Sequence, residues 1–253
     1  MHILDFTDRK ALITGAASGI GAAGARLLAN GGAATLILTD RDADALDAFD
    51  PGCSVVRIAG DVADPGHWDE VAPHLDGLDH AIVNAGIAAG GAIGETGFAE
   101  WRRVLGTNLD GAFLTLSTAL PLMREGGSVV LTASVSGIKA EPGTAAYGCS
   151  KAGLIHLARV AAKEAAPRRI RVNAIAPGGV DTPIWDQTPF FRDLVAEHGG
   201  ARTAALDAMA AMATPLGRYA SADEIAAQVG FLLSDMAATI TGAVLVSDGG
   251  YSL

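Results

Sequence analysis

Residues 10–21 read KALITGAASGIG. A short apolar run, Lys10 to Thr14, passes through Gly15, Gly19 and Gly21 into a helix-length apolar pattern, so a strand, a tight turn and a helix follow one another. Glycine permits positive φ in the turn and lets a diphosphate approach the backbone. The helix start, around Ser18 and Ile20, offers free N–H groups and the positive end of a dipole to phosphate oxygens. The spacing is G-x-x-x-G-x-G, not the commoner G-x-G-x-x-G. Glycine-rich turns also serve plain close packing, and the place of this one after the first strand is what gives it weight.

The same alternation runs on along the chain. TLILTD (35–40), SVVRIAG (54–60), LDHAIVNAG (78–86), GSVVLTAS (127–134), IRVNAIAPG (170–178) and GAVLVSDGG (242–250) read as strands. They are dense in Val, Ile and Leu with little polar alternation, as strands are when both faces are covered. Helix-length patterns lie between them. The expected fold class is α/β: a single-domain Rossmann-type doubly wound parallel sheet of seven strands, with helices on both faces, over residues 1–253. Gly31 and Gly126 are placed to stop helices, and Ser221 with Glu224 forms a capping-box pattern. The segment 178–216 reads as irregular, and at that length it is expected to be a substrate lid.

Composition narrows the function. The net charge of −10 argues against nucleic acid as a partner, since phosphate binding needs a basic face. Arg168 and Arg169 read as cations at a helix C-terminus. Two cysteines, Cys53 and Cys149, make no disulfide framework and fit a reducing compartment. The stretch MHILDFTDRK has no apolar leader core, and no uncharged run reaches the ~18 residues of a membrane span. A cytoplasmic setting is expected. The histidines (His2, His67, His74, His80, His156, His198) show no ligand spacing, so no catalytic metal is expected.

Asp40 ends the second strand, 19 residues after Gly21. A carboxylate there accepts hydrogen bonds from ribose hydroxyls and repels a 2′-phosphate, which favours NAD over NADP. Arg41 next to it is of the type that holds a 2′-phosphate, and a solvated strand-end carboxylate is the plain alternative for Asp40. YGCSK, residues 147–151, puts Tyr147 and Lys151 four apart, on one helix face. An ammonium beside a phenol favours phenolate, and so brings a group of pKa about 10 toward use as an acid and base. Such pairs on solvated helices usually do nothing. Cys149 would point away from the shared face, and reads as a small buried filler.

Taken in order, these segments resemble the short-chain dehydrogenase/reductase family, in its branch of about 250-residue subunits. The resemblance covers essentially the whole chain. It implies the cofactor turn in TGAASGIG, an adenine-contacting role for Asp61 and Val62 in GDV, and the Asn-Ala-Gly signature in Asn84, Ala85 and Gly86. Val83 stands where many members have a second asparagine. It implies catalytic roles for Asn108, Ser134, Tyr147 and Lys151. Pro177, Gly178, Val180 and Thr182, in APGGVDTP, would meet the nicotinamide end. Tyr147 would exchange the proton, Lys151 would hold the nicotinamide ribose, and Ser134 would bind the substrate oxygen. Asn108 would anchor a relay water; by itself it reads as a mid-helix amide at a kink. Ser134, Val135, Tyr147, Gly179 and Trp185 are the expected substrate residues. Ile87, Ile93, Ile138, Ile184, Phe190 and Phe191 add an apolar surround, with Arg192 and Arg202 as possible anion partners.

The expected activity is interconversion of a secondary alcohol and a ketone with NAD(H), on a small, neutral and apolar substrate. The resemblance implies pairing through the helices around LDGAFLTLSTALPLM and AGLIHLARVAAKEAA, hence a homotetramer, with a dimer as the alternative. Two other readings stay open: a 3-oxoacyl-carrier-protein reductase using NADPH, against which Asp40 and the acidic charge count, and a dinucleotide-binding regulator without turnover.

Overall fold

The computed structural model describes residues 4–253; His2 and the first three residues of the N-terminal stretch lie outside them. Seven strands form one parallel sheet: β1 (Lys10–Thr14), β2 (Thr35–Asp40), β3 (Ser54–Ala59), β4 (Leu78–Val83), β5 (Met123–Thr132), β6 (Arg171–Pro177) and, last in sequence, β9 (Val244–Ser247). Their order is β3-β2-β1-β4-β5-β6-β9. The chain winds outward from β1 to β3, then returns to lay β4 against the other side of β1. That reversal opens a crevice beyond the C-terminal ends of β1 and β4, where α/β sheets bind ligands.

Strand residues alternate between two cores. Leu12 faces α3 (Pro65–Val71), α5 (Gly111–Leu122) and α6 (Ala145–Ala165), through Trp68, Leu116 and Leu154. Its neighbours Ala11 and Ile13 face α1 (Gly19–Asn30), α2 (Ala43–Ala48) and α9 (Ala222–Leu233), through Leu28, Leu46 and Ile225. Each fully buried Leu or Ile stabilises by roughly 1.5–3 kcal/mol. The expected capping box is present: the Ser221 hydroxyl accepts from the Glu224 N–H, and Glu224 accepts from the Ser221 N–H.

α1 stops at Gly31 as expected, with the left-handed conformation one residue on, at Gly32, φ 92°. Another boundary differs from the sequence reading. The helix expected to reach Gly126 ends at Leu122; Gly126 lies within β5 with φ 80°, where the β4–β5 register shifts. Arg168 donates to the carbonyls of Leu120 and Met123, so a side chain satisfies the end of α5. The first half of that long helical pattern is α4 (Phe98–Leu105). One π-helical turn, Gly106–Asp110, joins it to α5.

The segment 178–216 is not irregular. After a two-residue strand, β7 (Val180–Asp181), it forms α7 (Pro189–Glu197) and α8 (Arg202–Ala213). β7 then pairs with β8 (Ala220–Ser221). The two helices share a separate small core of Phe191, Ala205, Leu206 and Met209. An alanine-rich helix with few large apolar positions shows little periodicity, which is why α8 was hard to see.

Candidate active site

A cavity of ≈ 1130 Å³ occupies the crevice. Most residues expected at the cofactor and substrate line it. Among those expected from the motifs, Gly21 and Asn108 are the two that do not.

At one end is the glycine turn. Gly15 and Gly19 have φ of 64° and 51°. A Cβ on Gly21 would overlap the Gly15 carbonyl oxygen. The first helical hydrogen bond runs from the Ala22 N–H to the Ser18 carbonyl, so the N–H groups of residues 18–21 ahead of it are uncommitted. The Asn84 amide donates to the carbonyls of Thr14 and Gly15, both at 3.2 Å, and braces the turn from β4. Asp40 accepts from the Ala17 N–H at 3.0 Å through one oxygen and from the Asp42 N–H at 3.1 Å through the other. Each oxygen keeps a further lone pair. Asp61 accepts from the Ala63 N–H, and Val62 is buried beside it. A cradle with free N–H donors, no Cβ at the close approach and a carboxylate beyond it fits a dinucleotide.

At the other end, Ser134, Tyr147 and Lys151 come together from β5's C-terminal end and α6. The Lys151 ammonium lies 5.7 Å from the centre of the Tyr147 ring. It donates to the Thr132 carbonyl at 2.8 Å, which uses one of its three hydrogens. Burial brings its pKa down to about 8. The Tyr147 phenol is pushed up by burial, and the hydrogen bond with Ser134 partly opposes this. The lowering of the phenol by Lys151 expected from the sequence is not among the effects that set this direction in the chain by itself.

Asn108 reaches this group through the π-helical turn. Its Oδ1 accepts from the Ile87 N–H at 2.8 Å, and its Nδ2 donates to the Ile87 carbonyl and to the Ser150 hydroxyl, both at 3.0 Å. Both amide hydrogens are thus used, and one lone pair of Oδ1 remains. A Cβ on Gly86 would lie 3.3 Å from the Lys151 Nζ and 3.4 Å from that Oδ1. Glycine leaves the space between them open. Ser150, buried and donating to the Tyr147 carbonyl at 2.7 Å, locks the amide's orientation. Sequence reasoning missed it.

On the substrate side, Trp185 lines the cavity and donates to the Val180 carbonyl at 2.7 Å. Gly179 also lines it, and a Cβ there would overlap the Tyr219 ring. Tyr219 and Tyr251 line the cavity and had drawn no notice in the sequence, because neither stands in a motif. Several expectations are corrected. Phe191 is buried in the core of α7 and α8, whereas Ile93 and Ile138 are exposed and do not line the cavity. Arg202 ties the start of α8 to Asp181, Asp186 and the Thr182 carbonyl and does not line the cavity. Cys149 is exposed on α6, not buried. Among the described residues, no group of three or more potential ligands would hold a metal ion. No helix among them is long and apolar enough to cross a membrane.

A family model described as enoyl-(acyl carrier protein) reductase matches residues 15–252. The chain is 38% identical to a cis-4-hydroxycyclohexanecarboxylate dehydrogenase of Sinomonas cyclohexanicum, covering 98% of each. It is 36% identical to the 3-oxoacyl-[acyl-carrier-protein] reductase FabG of Thermotoga maritima, covering 94% of this chain and 96% of the relative. The crystal structure of L-sorbose reductase from Gluconobacter frateurii, complexed with NADPH and L-sorbose, superposes with a TM-score of 0.90 at 30% identity, covering 98% of both chains.

Proposed function

Because this chain belongs to the short-chain dehydrogenase/reductase family, we propose that it interconverts a secondary alcohol and its ketone with NAD(H), using Tyr147 as the acid and base. The observation that carries this is the convergence of Ser134, Tyr147 and Lys151 at the end of a cavity whose other end is the glycine cradle. When bound, the nicotinamide accepts or supplies the hydride. The chain's own residues do the rest. Ser134 hydrogen-bonds the substrate oxygen as its charge changes. Tyr147 takes the proton from the alcohol, or gives it to the ketone. Lys151 spends one hydrogen on Thr132 and has two left, for the ribose and a relay water. The free lone pair of Asn108 Oδ1 holds that water. Asp40 supports NAD as the partner, because its free lone pairs suit ribose hydroxyls and its charge opposes a 2′-phosphate.

The substrate is a small secondary alcohol or ketone. α7 and α8 act as its lid, and exposed Phe113 on α5 and Val160 on α6 support association through those helices into a homotetramer. The likeness to a carrier-protein reductase favours a second reading, in which the substrate is a 3-oxoacyl thioester and the cofactor is NADPH. Rates with NAD and NADP on a panel of secondary alcohols, followed by absorbance of the reduced cofactor, separate the two. Tyr147→Phe is expected to lower kcat by at least ~10³-fold while cofactor binding is retained. Undiminished turnover in that variant would overturn the acid/base assignment.

A further inference from the structure

Tyrosine occurs only three times in the chain, and all three side chains line the same cavity. Tyr147 has its role above. Burial and the neighbouring Glu141 carboxylate push the phenol of Tyr251, on the C-terminal tail, up to about 12, so its hydroxyl has an acceptor close by. Its ring lies under the Lys139 ammonium, 4.1 Å from the ring centre, and its carbonyl accepts from the same ammonium at 3.1 Å. Tyr251 is therefore a fixed wall whose hydroxyl already has an acceptor at hand.

Tyr219 is different. Its ring stacks on Trp185, with centres 5.8 Å apart and planes 3° from parallel. It also lies against Gly179, whose missing side chain makes room for it next to the Pro177–Gly178 turn. The ring is held, but among the described residues the hydroxyl has no hydrogen-bond partner; burial alone acts on its acidity. That hydroxyl is not sealed from solvent, so it can exchange water for a ligand atom. A ring held by stacking, with its hydroxyl open in a ligand cavity, is placed to bond a ligand at little entropic cost.

We propose that Tyr219 is a specificity-determining residue whose hydroxyl bonds a second oxygen of the substrate, so the substrate class is a secondary alcohol or ketone that carries another hydroxyl or carbonyl. This rests on the oxidoreductase reading above. It also refines the expectation of an apolar substrate, since the aromatic faces of Trp185 and Tyr251 serve the carbon skeleton and Tyr219 serves the extra oxygen. Gly179, which also lines the cavity, makes the space that lets Tyr219 do so.

The test compares kcat/KM for butane-2,3-diol with butan-2-ol, and for cyclohexane-1,2-diol with cyclohexanol, in the wild type, Tyr219→Phe and Tyr251→Phe. Phenylalanine keeps the stacking and removes only the hydroxyl. The diol-to-monoalcohol ratio is expected to exceed one in the wild type and to fall about tenfold in Tyr219→Phe, the worth of one neutral hydrogen bond. It should hold in Tyr251→Phe. An unchanged ratio in Tyr219→Phe, or an equal fall in both variants, overturns the proposal. If no alcohol is turned over with either NAD or NADP, it is the oxidoreductase reading that fails. Tyr219 is then judged by the thermal shift that each diol and monoalcohol gives the NAD-loaded Tyr147→Phe protein. A diol preference lost on adding Tyr219→Phe supports the assignment, and its persistence or absence from the start defeats it.

Discussion

The turn after β1 and the turn after β6 each depend on a glycine whose Cβ would collide, but with different things. Gly21 meets a backbone carbonyl, that of Gly15, which Asn84 braces from β4. Gly179 meets the Tyr219 ring, which belongs to the segment linking α8 to β8 and rests on the small separate core of α7 and α8. The cofactor end is therefore shaped by main chain that cannot give way. The other end is shaped by a side chain, the Tyr219 ring, which a connecting segment holds against the small core of α7 and α8. One half is suited to a constant ligand, the other to a variable one.

Substitution at the two glycines is the sharpest way to break that comparison. Gly21→Ala is expected to cost upwards of about 3 kcal/mol in urea unfolding, because neither the Gly15 carbonyl nor its braces can yield. Any folded fraction should bind the dinucleotide poorly. An acid titration separates the halves next. His80, on β4, bonds Ser128 through Nδ1 at 2.8 Å, and its Nε2 is buried without a partner. Burial depresses its pKa from 6.5 to about 4; the charges of Asp79, Arg9, Arg171 and Asp235 act around it. The unfolded chain takes up this proton first. Stability contributed by the neutral ring is thus complete above pH 6.5 and is drawn down as pH falls from 6.5 to about 4, by about 3 kcal/mol over that window. Chemical unfolding at stepped pH should show this slope, and His80→Gln should flatten it. Gly179→Ala is expected to have the smallest effect, about 1 kcal/mol in stability, with KM for the alcohol raised and cofactor affinity kept. Were it to match Gly21→Ala in urea, the contrast between a rigid and an adjustable end would be wrong.

The sequence made the first of these ends far easier to read than the second. Strands such as TLILTD carry their own pattern, and all seven expected strands pair in the sheet. The glycine turn is legible because its chemistry is local: three glycines within seven residues do their work where they stand. The substrate wall is assembled from distant points. Tyr219 and Tyr251 reach the cavity only after α7 and α8 have folded and the tail has curled back onto Lys139. Ser150 was likewise silent, because its meaning depends on Asn108 arriving through a π-helical turn. Helix boundaries were misplaced where a side chain outranked a glycine, as Arg168 does at the end of α5.

One bond has a practical bearing on engineering. The carboxylate that would read the ribose also tethers the Ala17 amide, so recognition of sugar and shape of the phosphate loop share a single side chain. Replacing Asp40 to admit a phosphorylated nucleotide would slacken the loop at the same stroke. A redesign toward that nucleotide has to supply a new anchor for residue 17 together with the new cation. A swap at position 40 by itself should yield an enzyme weak toward both forms.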